Sequence, residues 1–435
     1  MKILIKNIDI ITSDRNRNYI KNGNIGISGG KIEFVEEYTN SSPCNYTPDR
    51  VIDGKNRLVM PGLVNSHTHC GMTLLRNIAD DLPLQEWLFN HIFPVEDRMS
   101  PEDIYWGAML GIIEMIKSGT TAFADMYINM DEVARAVTET GIRANLSKSP
   151  IKLDRGNNGC KIDERQSCFE YYRNWNGKAD GRIKVYVEVH SAYMFDKNTL
   201  KESAQLAKQC GTGIHIHLLE TLKEREESIN RYGMDSIEIC EKCGLFDVPV
   251  IAAHCVHIND NDIRILKEKG VNVVHNPTSN LKLGSGIAPV PRMIDEGINT
   301  ALGTDGAASN NNLNMFEEIN LAALIHKGVH TDARLINADT AIRMATVNGA
   351  KTIGMEGETG EVKKGMKADL ILLDTDKPHF YPINNPASSV VYSAQAADVD
   401  TVIIDGEVIM EKRQFAAIDE ELVKYKVNEI MCKMQ

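Results

Sequence analysis

The sequence predicts an α/β protein built on a (β/α)8 barrel, with a smaller sheet domain assembled from both chain ends. Three observations lead there. Eight short apolar runs recur between residues 58 and 304, several of them separated by helix-length patterned segments. Strand-like runs without intervening helices occupy residues 1 to about 60 and return after residue 366. Histidines or acids stand at the ends of four of the central runs, on the rim where such barrels carry their chemistry.

In chain order, Met1–Ile11 is mostly apolar, Asn24–Ser28 follows a turn, and Lys31–Glu36 follows Gly29-Gly30, which suits a small antiparallel sheet. The barrel strands are predicted at Leu58–Val64, Thr120–Asp125, Ile142–Lys148, Ile183–Val189, Thr212–His217, Val248–Ala253, Val271–His275 and Asn299–Thr304. Helices are predicted at Ser100–Ser118 and Lys201–Cys210. Ser100-Pro101-Glu102-Asp103 reads as a helix start, with a serine cap, proline at the first position and acids in the first turn. Further strands are predicted at Asp369–Leu373, Val390–Tyr392, Val399–Ile404 and Glu407–Met410, with Asp405-Gly406 as a hairpin turn. The domains expected are a composite sheet from residues 1–58 and 366–415, a barrel over 59–365 and a C-terminal helix over 416–435.

The 435 residues are 43% hydrophobic and 25% charged, an ordinary globular composition. The formal net charge of −12 disfavours nucleic acid and anionic membrane as partners and points to a small substrate. There is no secretory-signal pattern after Met1 and no apolar run of the ~18 residues a membrane span needs, so a cytoplasmic location is expected. Nine scattered cysteines are then reduced thiols. Cys240-Glu-Lys-Cys243 is a lone C-x-x-C in a charged helical stretch before Gly244, and reads as helix-end thiols. The oligomeric state stays open, a homo-oligomer included.

Four constellations carry the chemistry. In Pro61-Gly-Leu-Val-Asn-Ser-His67-Thr-His69, residues i and i+2 share one face of a strand, so both histidines can grip one metal. Gly213-Ile-His215-Ile-His217-Leu-Leu-Glu220 repeats the spacing and adds an acid just past the strand. His254 and His257 follow the apolar run at Ala252-Ala253, and Asp305 ends the last run in Gly303-Thr-Asp305-Gly306. Singly each is more often incidental. Together, imidazoles and a carboxylate brought to one rim suit zinc or ferrous iron. Motifs for other chemistries are absent: no H-E-x-x-H, no G-x-x-x-x-G-K-[ST], no G-x-G-x-x-G between strand and helix, and no P-C-x-x-C.

The chain resembles the amidohydrolase superfamily, in the cytosine deaminase and chlorohydrolase-like branch, and most closely the 5′-methylthioadenosine/S-adenosylhomocysteine deaminase family. The motifs that carry the resemblance span nearly the whole chain: PGLVNSHTH, LQEWLFNHIFPVE, HLLET, AAHCVH, HNPTSNLKLGSGIAPV and LGTDGAASNNNLNMFEE. It implies a distorted TIM-type barrel with a flanking β-sandwich. It implies one divalent metal per chain, zinc with Fe2+ or Mn2+ as alternatives, held by His67, His69, His217 and Asp305. It casts Glu220 as proton shuttle, with His254 and Asp305 beside the attacking water. It assigns Glu96 to the ribose hydroxyls of a nucleoside, and His190 and Ser309 to substrate contacts. A family arginine that reaches the substrate's far end matches Arg165, with Arg155 as the fallback, since the spacing to Trp175-Asn-Gly is one residue off. His215, His257 and His275 receive no direct catalytic role.

The implied reaction is hydrolytic deamination of an adenosine derivative. Two alternatives stand beside it. One is another reaction on the same scaffold: guanine or cytosine deamination, triazine dechlorination or amide hydrolysis. Binuclear amide-ring hydrolases of the superfamily use a carboxylated lysine at the end of the fourth strand. Here His190 stands there and Lys184 lies at the start, which favours one metal. The other alternative is a non-catalytic scaffold, which would lack a ligand or the acid; none is missing.

Overall fold

A computed structural model describes all residues except 38–45, 155–159 and 435. Eight parallel strands form the barrel: β1 (Leu63–Thr68), β2 (Thr120–Met126), β3 (Arg143–Lys148), β4 (Ile183–Ser191), β5 (Ile214–Leu218), β6 (Val250–His254), β7 (Asn272–His275) and β8 (Thr300–Leu302). They pair in sequence order from β1 to β8. The predicted helix start at Ser100 holds, while the helix predicted from Lys201 begins four residues earlier. Ser100 caps Pro101–Lys117 through a reciprocal bond with Asp103, and Asp196 caps Lys197–Cys210.

The ring closes irregularly. No ladder joins β8 to β1 among the described residues. Instead Thr304 N donates to Asn65 Oδ1 at 2.9 Å, and Asn65 Nδ2 donates to Thr304 Oγ1 at 2.7 Å. One residue on, Asp305 N donates to the His67 carbonyl at 3.0 Å. Side-chain amide bonds thus replace ladder bonds at the seam, which satisfies the buried backbone while letting the last strand stop early. Below the seam, Val64, Ala122, Ala124, Tyr186, Ile251 and Val274 fill the barrel floor against Ala350, Ile353 and Met355.

The two chain ends meet in one nine-stranded sheet, as the split-domain reading expects. Arg57–Pro61 pairs parallel with Lys2–Ile11 and antiparallel with Leu370–Asp374, joining the N-terminal and C-terminal halves. Alternation decides the packing. Val59, Leu370 and Leu372 join Ile3, Ile5 and Ile27 in the sheet's own core. Leu58, Met60, Ile371 and Leu373 turn to the core shared with the barrel. Asp405 and Gly406 both take positive φ, 51° and 75°, in the predicted hairpin turn.

Two expectations change. The single predicted strand Leu58–Val64 is two strands in two sheets, broken at Gly62. A Cβ there would lie 2.1 Å from the Thr121 hydroxyl, so only glycine lets the chain cross into the barrel. Val390–Tyr392 is not a strand but the end of helix Pro386–Tyr392. The Asn385 cap and Pro386 at the first helical position outweigh the short β-branched run. The C-terminal helix spans Glu420–Met434. Cys240 and Cys243 are free, buried thiols at the end of helix Ser236–Lys242.

A buried ion cluster ties the sheet to the barrel. Arg143, at the start of β3, donates from Nε to Asp369 at 2.5 Å and from Nη2 to Asp405 at 3.1 Å. Arg143 is 1% exposed. Removing one partner strands a buried charge, which costs about 3–5 kcal/mol. Arg143→Met is therefore expected to lower the midpoint of urea unfolding clearly, measured by circular dichroism; an unchanged midpoint would show that the cluster does not anchor the sheet.

Candidate active site

The strand ends converge as the spacing predicts. His67 lies on β1 and His69 one residue past it; His217 lies on β5, His254 closes β6, and Asp305 follows β8. One ligand atom each from His67, His69 and His217 falls within a mutual 4.8 Å, as does a set from His67, His254 and Asp305. Asp305 Oδ1 is 3.4 Å from His67 Nε2 and 3.2 Å from His69 Nε2. His217 Nε2 is 3.2 Å from His69 Nε2.

Each ring is held from behind by its other nitrogen. His69 Nδ1 donates to the Met126 carbonyl at 2.5 Å, and His217 Nδ1 to the His190 carbonyl at 2.7 Å. His254 Nδ1 meets Asn280 Oδ1 at 2.8 Å, and His67 Nδ1 meets His215 Nε2 at 2.9 Å. Protons on these Nδ1 atoms leave the Nε2 lone pairs facing one centre, the tautomer a metal requires. On Asp305, Oδ2 accepts from Ser279 Oγ at 2.6 Å and Ser309 Oγ at 2.9 Å, while Oδ1 accepts from Gly306 N at 2.7 Å.

Left-handed backbone occurs at three of these strand ends, as it does in turns elsewhere in the chain. Leu219, His254, Cys255 and Asp305 take positive φ of 49°, 75°, 46° and 64°. Non-glycine residues hold such conformations only where the surroundings enforce them, and they collect at functional sites.

The electrostatics ask for a cation. His67 Nε2 is buried with no hydrogen-bond partner. Burial drives His67 down to about 4 and holds His215 and His217 well below the usual imidazole range. Burial works against His69 too, but the Asp305 carboxylate and the Met126 carbonyl outweigh it and push His69 up to about 9. Burial also opposes ionisation of Asp305, yet the His67 and His69 rings beside it hold it well below the carboxylate range. A negative oxygen facing several inward ring nitrogens, one of them drawing a proton when no ion is bound, fits a divalent ion with nitrogen and oxygen ligands.

Glu220 lies just past β5. Its Oε1 accepts from Ser285 Oγ at 3.2 Å, and Oε2 is 3.9 Å from His254 Nε2. Burial raises its pKa, the condition for a proton donor at neutral pH. His257, unassigned from sequence, donates to the Ser285 carbonyl at 2.7 Å and so steadies Glu220's partner. A cavity of about 550 Å3 opens over the cluster, and His69, His217, Glu220, His254, Asp305, His190 and Glu96 all line it. That volume suits a nucleoside-sized ligand.

Two sequence-based placements fall elsewhere. Ser309 is buried behind Asp305, bonded to its Oδ2 and to the Gly306 carbonyl, and is not on the cavity wall. It orients the carboxylate rather than meeting substrate. Arg165 lies on the outer surface, its guanidinium engaged by Asp163 at 2.6 Å and Glu202 at 2.9 Å. Its helix carries it away from the cavity; Arg155 is outside the described residues. The cations on the described wall are Lys148 and Lys152, which sequence reasoning missed. It also missed Asp125, whose Oδ1 accepts from Thr68 Oγ1 at 2.7 Å and Cys70 N at 2.6 Å, pinning both sides of His69. Its place at the end of a predicted strand was the available signal.

Fold and site together define a barrel hydrolase with a cation-binding rim. The amidohydrolase family model matches residues 58–409, and the chain belongs to that family. It is 61% identical over 430 residues, 99% of each chain, to the 5-methylthioadenosine/S-adenosylhomocysteine deaminase of Acetivibrio thermocellus. It is 46% identical to the 5'-deoxyadenosine deaminase of Methanosarcina mazei, over 97% of this chain and 95% of that one. A zinc-bound adenosine deaminase from Xanthomonas campestris superposes with a TM-score of 0.93 at 31% identity, covering 99% of this chain and 98% of that one. Among the described residues no helix is long and apolar enough to cross a membrane.

His215 supports His67 from below, and loss of such a support typically weakens metal binding about 10- to 100-fold. His215→Phe is expected to do so in competition with a chelator, from a wild-type content close to one divalent ion per chain. Wild-type affinity in the variant would remove His215 from the metal centre.

Proposed function

We infer that this chain is a hydrolytic deaminase. It converts the adenine of 5′-methylthioadenosine, S-adenosylhomocysteine or a related adenosine to hypoxanthine and releases ammonia. The observation that carries this reading is one cavity holding the His/Asp cluster, the buried acid Glu220, whose pKa burial raises, and a second buried acid, Glu96. The substrates named for the relatives support the choice of nucleoside.

His67, His69, His217 and Asp305 would hold the metal, one per chain; zinc suits this donor set, and iron or manganese are the other ions it accepts. When bound, the metal supplies a Lewis acid that lowers the pKa of coordinated water toward ~7. The chain's own groups do the rest. Asp305, with the inward Nε2 of His254, takes the proton of the attacking water. Glu220 gives its proton to ring N1 as the C6–O bond forms, so negative charge does not build on the ring. The proton taken from water then passes to the exocyclic amine, the C6–N bond breaks and ammonia leaves, while the C6 hydroxyl gives its proton to Glu220, which forms the carbonyl and restores the acid. Acid and base stand within reach of one another, with Glu220 Oε2 3.9 Å from His254 Nε2, as an addition and elimination at one carbon requires. Glu96 accepts hydrogen bonds from the ribose hydroxyls, and His190, its ring centroid 4.8 Å from that of His217, contacts the base. We assign the acidic chain to the cytoplasm, with the sheet domain over residues 1–61 and 366–415 and the barrel over 62–365, the boundary moved from 58 to the crossing at Gly62.

Glu220→Gln keeps the shape but carries no transferable proton. It is expected to lower kcat by ~100-fold or more with unchanged metal content, read by ammonia release and metal analysis. Normal turnover would place the shuttle elsewhere.

Glu96 tests the substrate class. Hydrogen bonds to a charged group contribute ~1.5–3 kcal/mol each. At ~1.4 kcal/mol per tenfold, 2′-deoxyadenosine should show a kcat/KM roughly 10- to 150-fold below that of adenosine. Glu96→Ala should erase most of that preference and leave metal binding intact. A wild type that treats the two alike would point to a free base or a triazine as substrate.

A further inference from the structure

Glu188 is a carboxyl group that the mechanism above leaves unused. It lies on β4 two residues before His190, so alternation puts both on the inner face of the barrel. Val185, Val187 and Val189 face the surrounding core instead. The Glu188 side chain lines the same cavity as His69, Glu96 and Glu220 while only 8% exposed. Its Oε2 is buried and has no hydrogen-bond partner.

A buried carboxyl oxygen without a partner is costly, and proteins keep such groups where a ligand completes them. Nothing cationic is salt-bridged to Glu188 among the described residues. Burial, opposed by His69 and reinforced by Asp125 and Glu96, pushes its pKa up to about 8. The shift favours the neutral acid, a form that both donates and accepts a hydrogen bond. Its electrostatic neighbours mark its place: His69 belongs to the reaction centre, and Glu96 to the ribose end. An adenosine held at both ends presents its ring nitrogens N3 and N7 between them, as bare acceptors.

We propose that Glu188 is a specificity-determining residue that hydrogen-bonds a purine ring nitrogen of the substrate, N3 or N7. This rests on the adenosine-deaminase reading. The contact selects a purine carrying an acceptor at that position, over and above the chemistry at C6. Glutamine at 188 would still donate from its amide; leucine would not.

The test is a cycle of three enzymes against three substrates. Wild type, Glu188→Gln and Glu188→Leu are assayed for ammonia release from adenosine, 3-deazaadenosine and 7-deazaadenosine, and kcat/KM values are compared as ratios. The intrinsic reactivity of each ring cancels between enzymes. In Glu188→Leu, kcat/KM for adenosine should fall about tenfold, the scale of one hydrogen bond that leaves a buried partner empty. For the deaza compound lacking the partner nitrogen it should fall hardly at all, while Glu188→Gln should keep most of the wild-type discrimination. An equal fall for all three substrates would assign Glu188 to the barrel floor or to a bound water, and would overturn the contact alone. Wild type that discriminates against neither deaza compound, relative to Glu188→Leu, would also overturn it. Failure of the wild type to release ammonia from adenosine or 5′-methylthioadenosine would overturn the deaminase reading, and this contact with it.

Discussion

The seam between the last and first barrel strands is the constraint on which the site depends. Asp305 donates its backbone N–H to the carbonyl of His67 at 3.0 Å, so the carboxylate and the first imidazole are locked together by the same bond that closes the ring. A regular ladder would carry β8 further and aim Asp305 differently. The Asn65–Thr304 side-chain pair satisfies the buried backbone in place of that ladder. Distortion of the barrel and assembly of the cation site are one structural event.

Burial and strain at this rim work against stability and are held by the scaffold beneath. Several uncharged imidazoles, one ionised carboxylate and several raised acids crowd into a small volume, an arrangement that bulk water would not favour. Three strand ends also hold left-handed non-glycine residues, each costing on the order of 1–3 kcal/mol. The close-packed floor of Val64, Ala122, Tyr186 and Ile251 fixes the strands below, and hydrogen bonds from the rings to the Met126 and His190 carbonyls, Asn280 Oδ1 and His215 Nε2 fix the rings above. Pre-organisation of this kind leaves little to rearrange when substrate arrives.

The flanking sheet explains why a chain of this length closes on itself from both ends. One face of the sheet forms its own core, and the other completes the core around the barrel helices. Neither face is left wet, so the sheet cannot be removed without exposing the barrel side. The buried Arg143 cluster adds direction to this apolar contact, because a guanidinium held by two carboxylates tolerates only one docking geometry.

The sequence by itself determined the fold class, the split sheet and the identity of the converging groups. Strand period and strand-end chemistry are local: i and i+2 spacing puts His67 beside His69, and an apolar run sets where His254 and Asp305 fall. The break at Gly62 and the helix at Pro386–Tyr392 escaped, because an apolar run does not say which sheet receives it, or whether a cap upstream will convert it. Only the tertiary structure decided who supports whom. Ser309 faces Asp305 and not the cavity; His215 stands under His67; Asp125 pins His69; Arg165 turns outward to Asp163 and Glu202. The His215 and Asp125 roles depend on side chains meeting across strands, 148 residues apart for His67 and His215 and 57 for Thr68 and Asp125, which periodicity along one strand does not encode; Ser309 and Arg165 are turned by the local chain path after β8 and before its helix.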